Sequence, residues 1–101
     1  MKRIRITSPA RRDLREIRIY LAKYSPEAAS RIIQEIRTRL TVLADQPGIG
    51  HARVDLTNSD VLFLSVWSYL VIYRVTITEV QILRVVHGAR DLESFLDQEL
   101  N

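Results

Sequence analysis

The chain has 101 residues, 47% of them hydrophobic and 27% charged, and a net charge of +3. That length holds one hydrophobic core, so residues 1–101 read as a single domain, and the balance is that of a folded protein rather than a disordered or fibrous one. No cysteine is present, which excludes a disulfide framework, a thiolate zinc site and a cysteine nucleophile.

His51 and His87 are the only imidazoles and lack the spacing of a helical metal motif, so neither a metal nor another cofactor is expected. Nothing approaches the ~18 uninterrupted apolar residues of a membrane span, and the first residues alternate charge with isoleucine. A cytoplasmic protein is expected, with no membrane partner. The charge is unevenly distributed. Residues 1–24 carry eight basic groups against Asp13 and Glu16, residues 25–87 are balanced, and residues 88–101 set Arg90 against Asp91, Glu93, Asp97 and Glu99. Thirteen of the fifteen basic residues are arginine, whose planar fork binds carboxylate or phosphate, so an acidic partner fits, either nucleic acid or peptide.

The opening Lys2-Arg3-Ile4-Arg5-Ile6-Thr7 alternates with period two, which predicts a strand with one buried face. Ser8 as N-cap and Pro9 at the first helical position start a helix over roughly 9–24, with Ala10, Leu14, Ile17, Leu21 and Tyr24 on its apolar stripe. Ser25-Pro26-Glu27 repeats the start signal and predicts a second helix to about Ala44. Its apolar stripe runs Ala29, Ile32, Ile33, Ile36, Leu40, Leu43, and Glu27/Arg31 and Glu35/Arg39 are spaced as i, i+4 ion pairs. Gln46-Pro47-Gly48-Ile49-Gly50 opens a long loop reaching Asp60.

Three β-rich runs follow, Val61–Val66, Tyr69–Val75 and Val80–Val86. The short separators, Trp67-Ser68 and Thr76–Glu79, imply hairpins and hence an antiparallel meander. Two of these runs are almost continuously apolar, as expected of strands covered on both faces. After Gly88, the spacing of Leu92, Leu96 and Leu100 with Phe95 predicts a short C-terminal helix. The expected architecture is α+β in the order βααβββα, with the helical hairpin on one face of a four-stranded sheet.

This order, Ser8-Pro9-Ala10 and Asp13-Leu14 in the first helix, Pro47-Gly48-Ile49-Gly50 after the second, Tyr69–Val75, and above all Ile82-Leu83-Arg84-Val85-Val86-His87-Gly88-Ala89-Arg90-Asp91-Leu92, resemble ParE-type toxins of the ParE/RelE superfamily. The resemblance implies the toxin of a type II toxin-antitoxin pair, neutralised by a cognate, ParD-like antitoxin whose C-terminal segment wraps it. A toxin dimer or a heterotetramer with antitoxin is the oligomer such a pair would form. It further implies a protein that poisons DNA gyrase without catalysing a covalent reaction, whereas the related RelE branch cleaves mRNA in the ribosome. A diverged member that only binds its antitoxin is the third reading.

A ribonuclease of the RelE kind needs an acid–base group and cations on the phosphate. Arg84, His87 and Arg90 could be drawn in those roles, but Val61–Val66 supplies no charge where such nucleases resemble one another in strand cations. His87, beside Gly88 at a strand end, reads rather as a structural residue bonded to backbone than as a base. Arg74 and Arg84 stand out, because arginine in an apolar strand must reach an edge or find an anion. Together with Trp67, Tyr73, Arg90, Leu92, Phe95 and Leu96 they are the expected antitoxin- or target-binding residues. Arg11, Arg15 and Arg18 form a basic ridge beside the apolar stripe of the first helix, which reads first as a solvated face.

Overall fold

A computed structural model describes residues 1–52 and 60–88. The predicted C-terminal helix, and with it Arg90, Leu92, Phe95 and Leu96, lies outside the described residues. Within them the chain forms β1 (Arg3–Ile6), α1 (Ser8–Ala22), α2 (Pro26–Asp45), a short 3₁₀ turn (Pro47–Ile49), β2 (Leu62–Val66), β3 (Tyr69–Val75) and β4 (Glu79–His87). The four strands make one sheet in the order β1-β4-β3-β2. The predicted meander is present, with β2 antiparallel to β3 and β3 antiparallel to β4. β1 joins the free edge of β4 in parallel, pairing Arg3 with Glu79 and Ile6 with Ile82.

Each helix begins at a side-chain cap. Ser25 caps α2 as predicted, its hydroxyl accepting from the Ala28 amide at 3.2 Å. For α1 the cap is Thr7, one residue before the expected Ser8. Its hydroxyl accepts from the Ala10 amide and donates to the Ile82 and Leu83 carbonyls at 2.8 and 3.1 Å. A cap that also holds the sheet satisfies more backbone groups than one facing water, which is why Thr7 takes the role. α1 is shorter than predicted, ending at Ala22. Its buried residues, Ala10, Asp13 and Leu14, all lie in the first half, and Tyr24 is exposed instead of completing the stripe. The stripe of α2 is buried from Ala29 through Ile33, Ile36 and Leu40 to Leu43 and Ala44, with Ile32 half-buried at its margin. Among the described residues, the Glu27/Arg31 and Glu35/Arg39 spacings are not closed as ion pairs, in keeping with the small worth of solvated pairs.

Both faces of the sheet are apolar. Leu64, Val66, Tyr69, Val71, Tyr73, Val80, Ile82 and Val85 form the core with the two helices, and Val61, Phe63, Ile72 and Val86 form a second cluster. Burial on both sides accounts for the continuous apolar runs in β3 and β4. A register shift between Ile72 and Tyr73 carries the pairing from Arg84 to Ile82, leaving Leu83 as the extra residue of a bulge in β4. Past the bulge the side-chain alternation is reset, so Val85 faces the same helical core as Val80 and Ile82.

Candidate functional site

β1 is four residues long and β4 is nine, so among the described residues the edge of β4 beyond Ile82 has no strand partner. α1 takes over that edge. The Thr7 amide donates to the Ile82 carbonyl at 3.1 Å, and two helical turns on, the Asp13 carboxylate accepts from the Val85 amide at 2.9 Å. Arg84 closes the same carboxylate from the sheet side, Nε to Oδ2 at 2.7 Å and Nη2 to Oδ1 at 3.0 Å. Asp13 is the one buried charged residue among those described, and its three bonds supply what a carboxylate in that position requires. The anion required by Arg84 is therefore Asp13, from the same chain. Local sequence patterns do not reveal that partner, because 71 residues separate the two.

Arg74 differs. Its Nε donates to Asp60 at 2.9 Å, but the Asp60 side chain is 76% exposed and that of Arg74 36%. This ion pair sits in water, at the loop end of the sheet, and a competing anion can reach it.

Tyr73, expected at a binding surface, has no exposed area. Its hydroxyl donates to the Pro47 carbonyl at 2.7 Å and accepts from the Gly50 amide at 2.9 Å, pinning the 3₁₀ turn to the sheet. Burial pushes the Tyr73 hydroxyl above its ordinary value of 10.0, and the bond from Gly50 opposes that shift. Gly50 is a glycine for this contact, since a Cβ there would overlap the Tyr73 ring and hydroxyl. Beyond the turn, His51 bridges to Phe63, donating and accepting backbone bonds at 2.8 Å along the outer edge of β2. Any influence of Tyr73 on a partner is thus indirect, through the loop that it holds.

Trp67 is the exposed aromatic of the β2–β3 hairpin, 64% accessible. It occupies the first position of the two-residue loop with φ of 56°, and among the described residues it is the one non-glycine with positive φ. Such a position favours glycine or asparagine; a tryptophan there carries strain while presenting its indole to solvent. Ser65, Ser68, Tyr69, Leu70, His87 and Gly88 line a shallow depression of about 300 Å³ beside it. His87 packs edge-on against Tyr69 at a ring separation of 5.7 Å, with Nδ1 buried.

The ridge of Arg11, Arg15 and Arg18 is formed as predicted. It faces Arg37 of α2 across a groove of about 290 Å³ whose floor is Ile6, Leu14 and Ile33. Among the described residues no cluster of His, Asp and Glu could hold a metal ion, and no helix is long and apolar enough to cross a membrane.

Placed against known proteins, residues 4–92 match the family model described as the ParE toxin of the type II toxin-antitoxin system parDE. The protein named "Putative toxin Y4kP" of Sinorhizobium fredii (strain NBRC 101917 / NGR234) is 39% identical over 88 residues, covering 86% of this chain and 88% of that protein. A solved chain of the chromosomal ParDE toxin-antitoxin system from P. aeruginosa superposes with a TM-score of 0.71 at 27% identity, covering 86% of this chain and 96% of its own. The expected fold and the expected family are both met, and the chain belongs to the ParE toxins of type II toxin-antitoxin systems.

Proposed function

We propose that this toxin acts in the cytoplasm by poisoning DNA gyrase through binding, without a catalytic step of its own, and that a ParD-like antitoxin neutralises it by covering its surface. The observation that carries the reading is the internal use of Arg84. A ribonuclease centre built on Arg84 and His87 would need that guanidinium on a substrate phosphate, yet it is held at both ends by Asp13 while His87 packs against Tyr69. Withdrawing Arg84 would strand the Asp13 carboxylate on the sheet edge, a cost of a few kcal/mol that a phosphate contact would have to offset.

The surface available for partners consists of groups that are open instead. Trp67 at the hairpin tip is the aromatic anchor, and Arg74, loosely held by Asp60, is the exchangeable cation. Arg90, Leu92, Phe95 and Leu96 complete the proposed contact set on the strength of the sequence. The test is a plasmid supercoiling and cleavage assay with antitoxin-free toxin and purified gyrase. Loss of supercoiling with accumulation of cleaved DNA is the expected result. Folded toxin that leaves gyrase untouched while cutting mRNA on translating ribosomes would reject the proposal in favour of the ribonuclease.

A further inference from the structure

The groove between α1 and α2 has no role in the fold that explains its charge. Arg11, Arg15 and Arg18 of α1 and Arg37 of α2 line it, and all four are exposed. Arg11 donates Nε to the Ile6 carbonyl at 3.2 Å, but among the described residues no carboxylate closes on Arg15, Arg18 or Arg37. Arg5, Arg74 and Arg84 each meet an Asp or Glu, but among the described residues Arg3, Arg12, Arg31 and Arg39 close on none either, so what sets the groove apart is the convergence of four cations. Four like charges converging on one groove repel one another, so the arrangement gains stability when an anion enters.

The floor of the groove decides which kind of anion. Leu14 and Ile33 are 3% and 6% exposed, and Ile6 is half-buried. An acidic amphipathic helix would find guanidinium groups at the walls but only Ile6 as open apolar floor, and apolar burial supplies most of such a helix's affinity. A sugar-phosphate backbone needs only the charges. From Arg11 to Arg18 the ridge rises about 10.5 Å at 1.5 Å per residue, the axial length of roughly three nucleotides of one B-DNA strand at 3.4 Å each. Arginine also grips phosphate with two parallel N–H bonds.

We infer that the Arg11/Arg15/Arg18/Arg37 groove is a binding site for the phosphate backbone of duplex DNA, independent of base sequence. The choice of DNA among polyanions rests on the proposed topoisomerase target; the site would hold toxin against the DNA on which that enzyme works.

The experiment is a fluorescence-anisotropy titration of the full chain with a labelled 20-base-pair duplex over a series of NaCl concentrations, with no gyrase present. Four neutralised phosphates predict a slope of log K against log salt of about −3.6. Arg15→Gln with Arg18→Gln should bring it to about −1.8 and weaken binding at low salt by tenfold or more. The control is Arg31→Gln with Arg39→Gln, an equal charge loss elsewhere on α2, which should leave the slope close to wild type. Circular dichroism of both doubles confirms that these surface changes leave the fold intact. If the control falls as far as the groove variant, the attraction is one of net charge alone and the inference fails. It fails as well if poly-glutamate or a duplex RNA of equal length binds as tightly as DNA, because the groove then does not distinguish DNA from other polyanions. Because gyrase is absent, a negative titration overturns this site and leaves the target to be decided separately by the supercoiling assay.

Discussion

Arg84 and Arg74 stand on neighbouring strands, each bonded through Nε to an aspartate at closely similar distances, 2.7 and 2.9 Å. The likeness ends at the water boundary. The Asp13 carboxylate is enclosed, receives a second guanidinium bond and a backbone amide, and replaces a missing strand at the edge of β4. Asp60 is open and, among the described residues, accepts one bond, from Arg74. Distance alone therefore ranks neither pair; what matters is how many groups are left stranded when a partner goes.

The sharpest way to break this comparison is to remove Asp13. Asp13→Ala removes the carboxylate that the Val85 amide and the Arg84 guanidinium share, and should cost about 3 kcal/mol, the low end for a buried pair because the Arg84 side chain is 26% exposed. Urea unfolding measures it, and an unchanged midpoint would refute the joint between α1 and β4. Tyr73→Phe comes next, at about 1–2 kcal/mol, since it strands the Pro47 carbonyl and the Gly50 amide. That variant also tests a pH effect. The folded-state value of Tyr73 lies above 10.0, so its protonated form stabilises the fold fully below pH 10, and this contribution is lost as the pH rises through the raised value. Stability profiles of wild type and Tyr73→Phe from pH 9 upward should converge, and parallel profiles would contradict the assignment.

Trp67 inverts the case of Tyr73, an aromatic held outward by a strained backbone instead of inward by hydrogen bonds. Trp67→Gly should stabilise the free protein by up to ~1 kcal/mol while weakening gyrase or antitoxin binding, a pairing of effects that thermal unfolding and an affinity titration read together. A destabilised variant would mean that the indole packs against the fold. The smallest effect is expected at Arg74→Ala, below ~1 kcal/mol in stability, with antitoxin affinity the more sensitive readout; equal affinity to wild type would remove Arg74 from the contact set.

Local features are legible because neighbours in sequence carry them. Pro9 and Pro26 near helix starts, the stripe of α2, the Trp67-Ser68 turn and the ridge of Arg11, Arg15 and Arg18 are all patterns a few residues long. The roles of strand residues are harder to read. Arg84 stands out as a charged group in an apolar run, and that signal is genuine, but it reports only that a partner exists, while Tyr73 reads as a binding residue with no hint of where its partner lies. Each finds it inside the molecule, in Asp13 and in the Pro47–Gly50 turn. Membership of Arg37 in the arginine groove has no sequence signal, because nothing in α2 by itself relates it to α1.

Periodicity and punctuation in the chain are sufficient for the element order and for the α+β class, since hydrophobic spacing and capping are decided within one or two turns of backbone. Only the tertiary structure placed β1 parallel to β4, shifted the register at Ile72 and Tyr73, and left the far end of β4 for Thr7 and Asp13 to complete. Those choices follow from the requirement that every buried backbone group find a partner, and which partner is within reach depends on the packing of the whole chain.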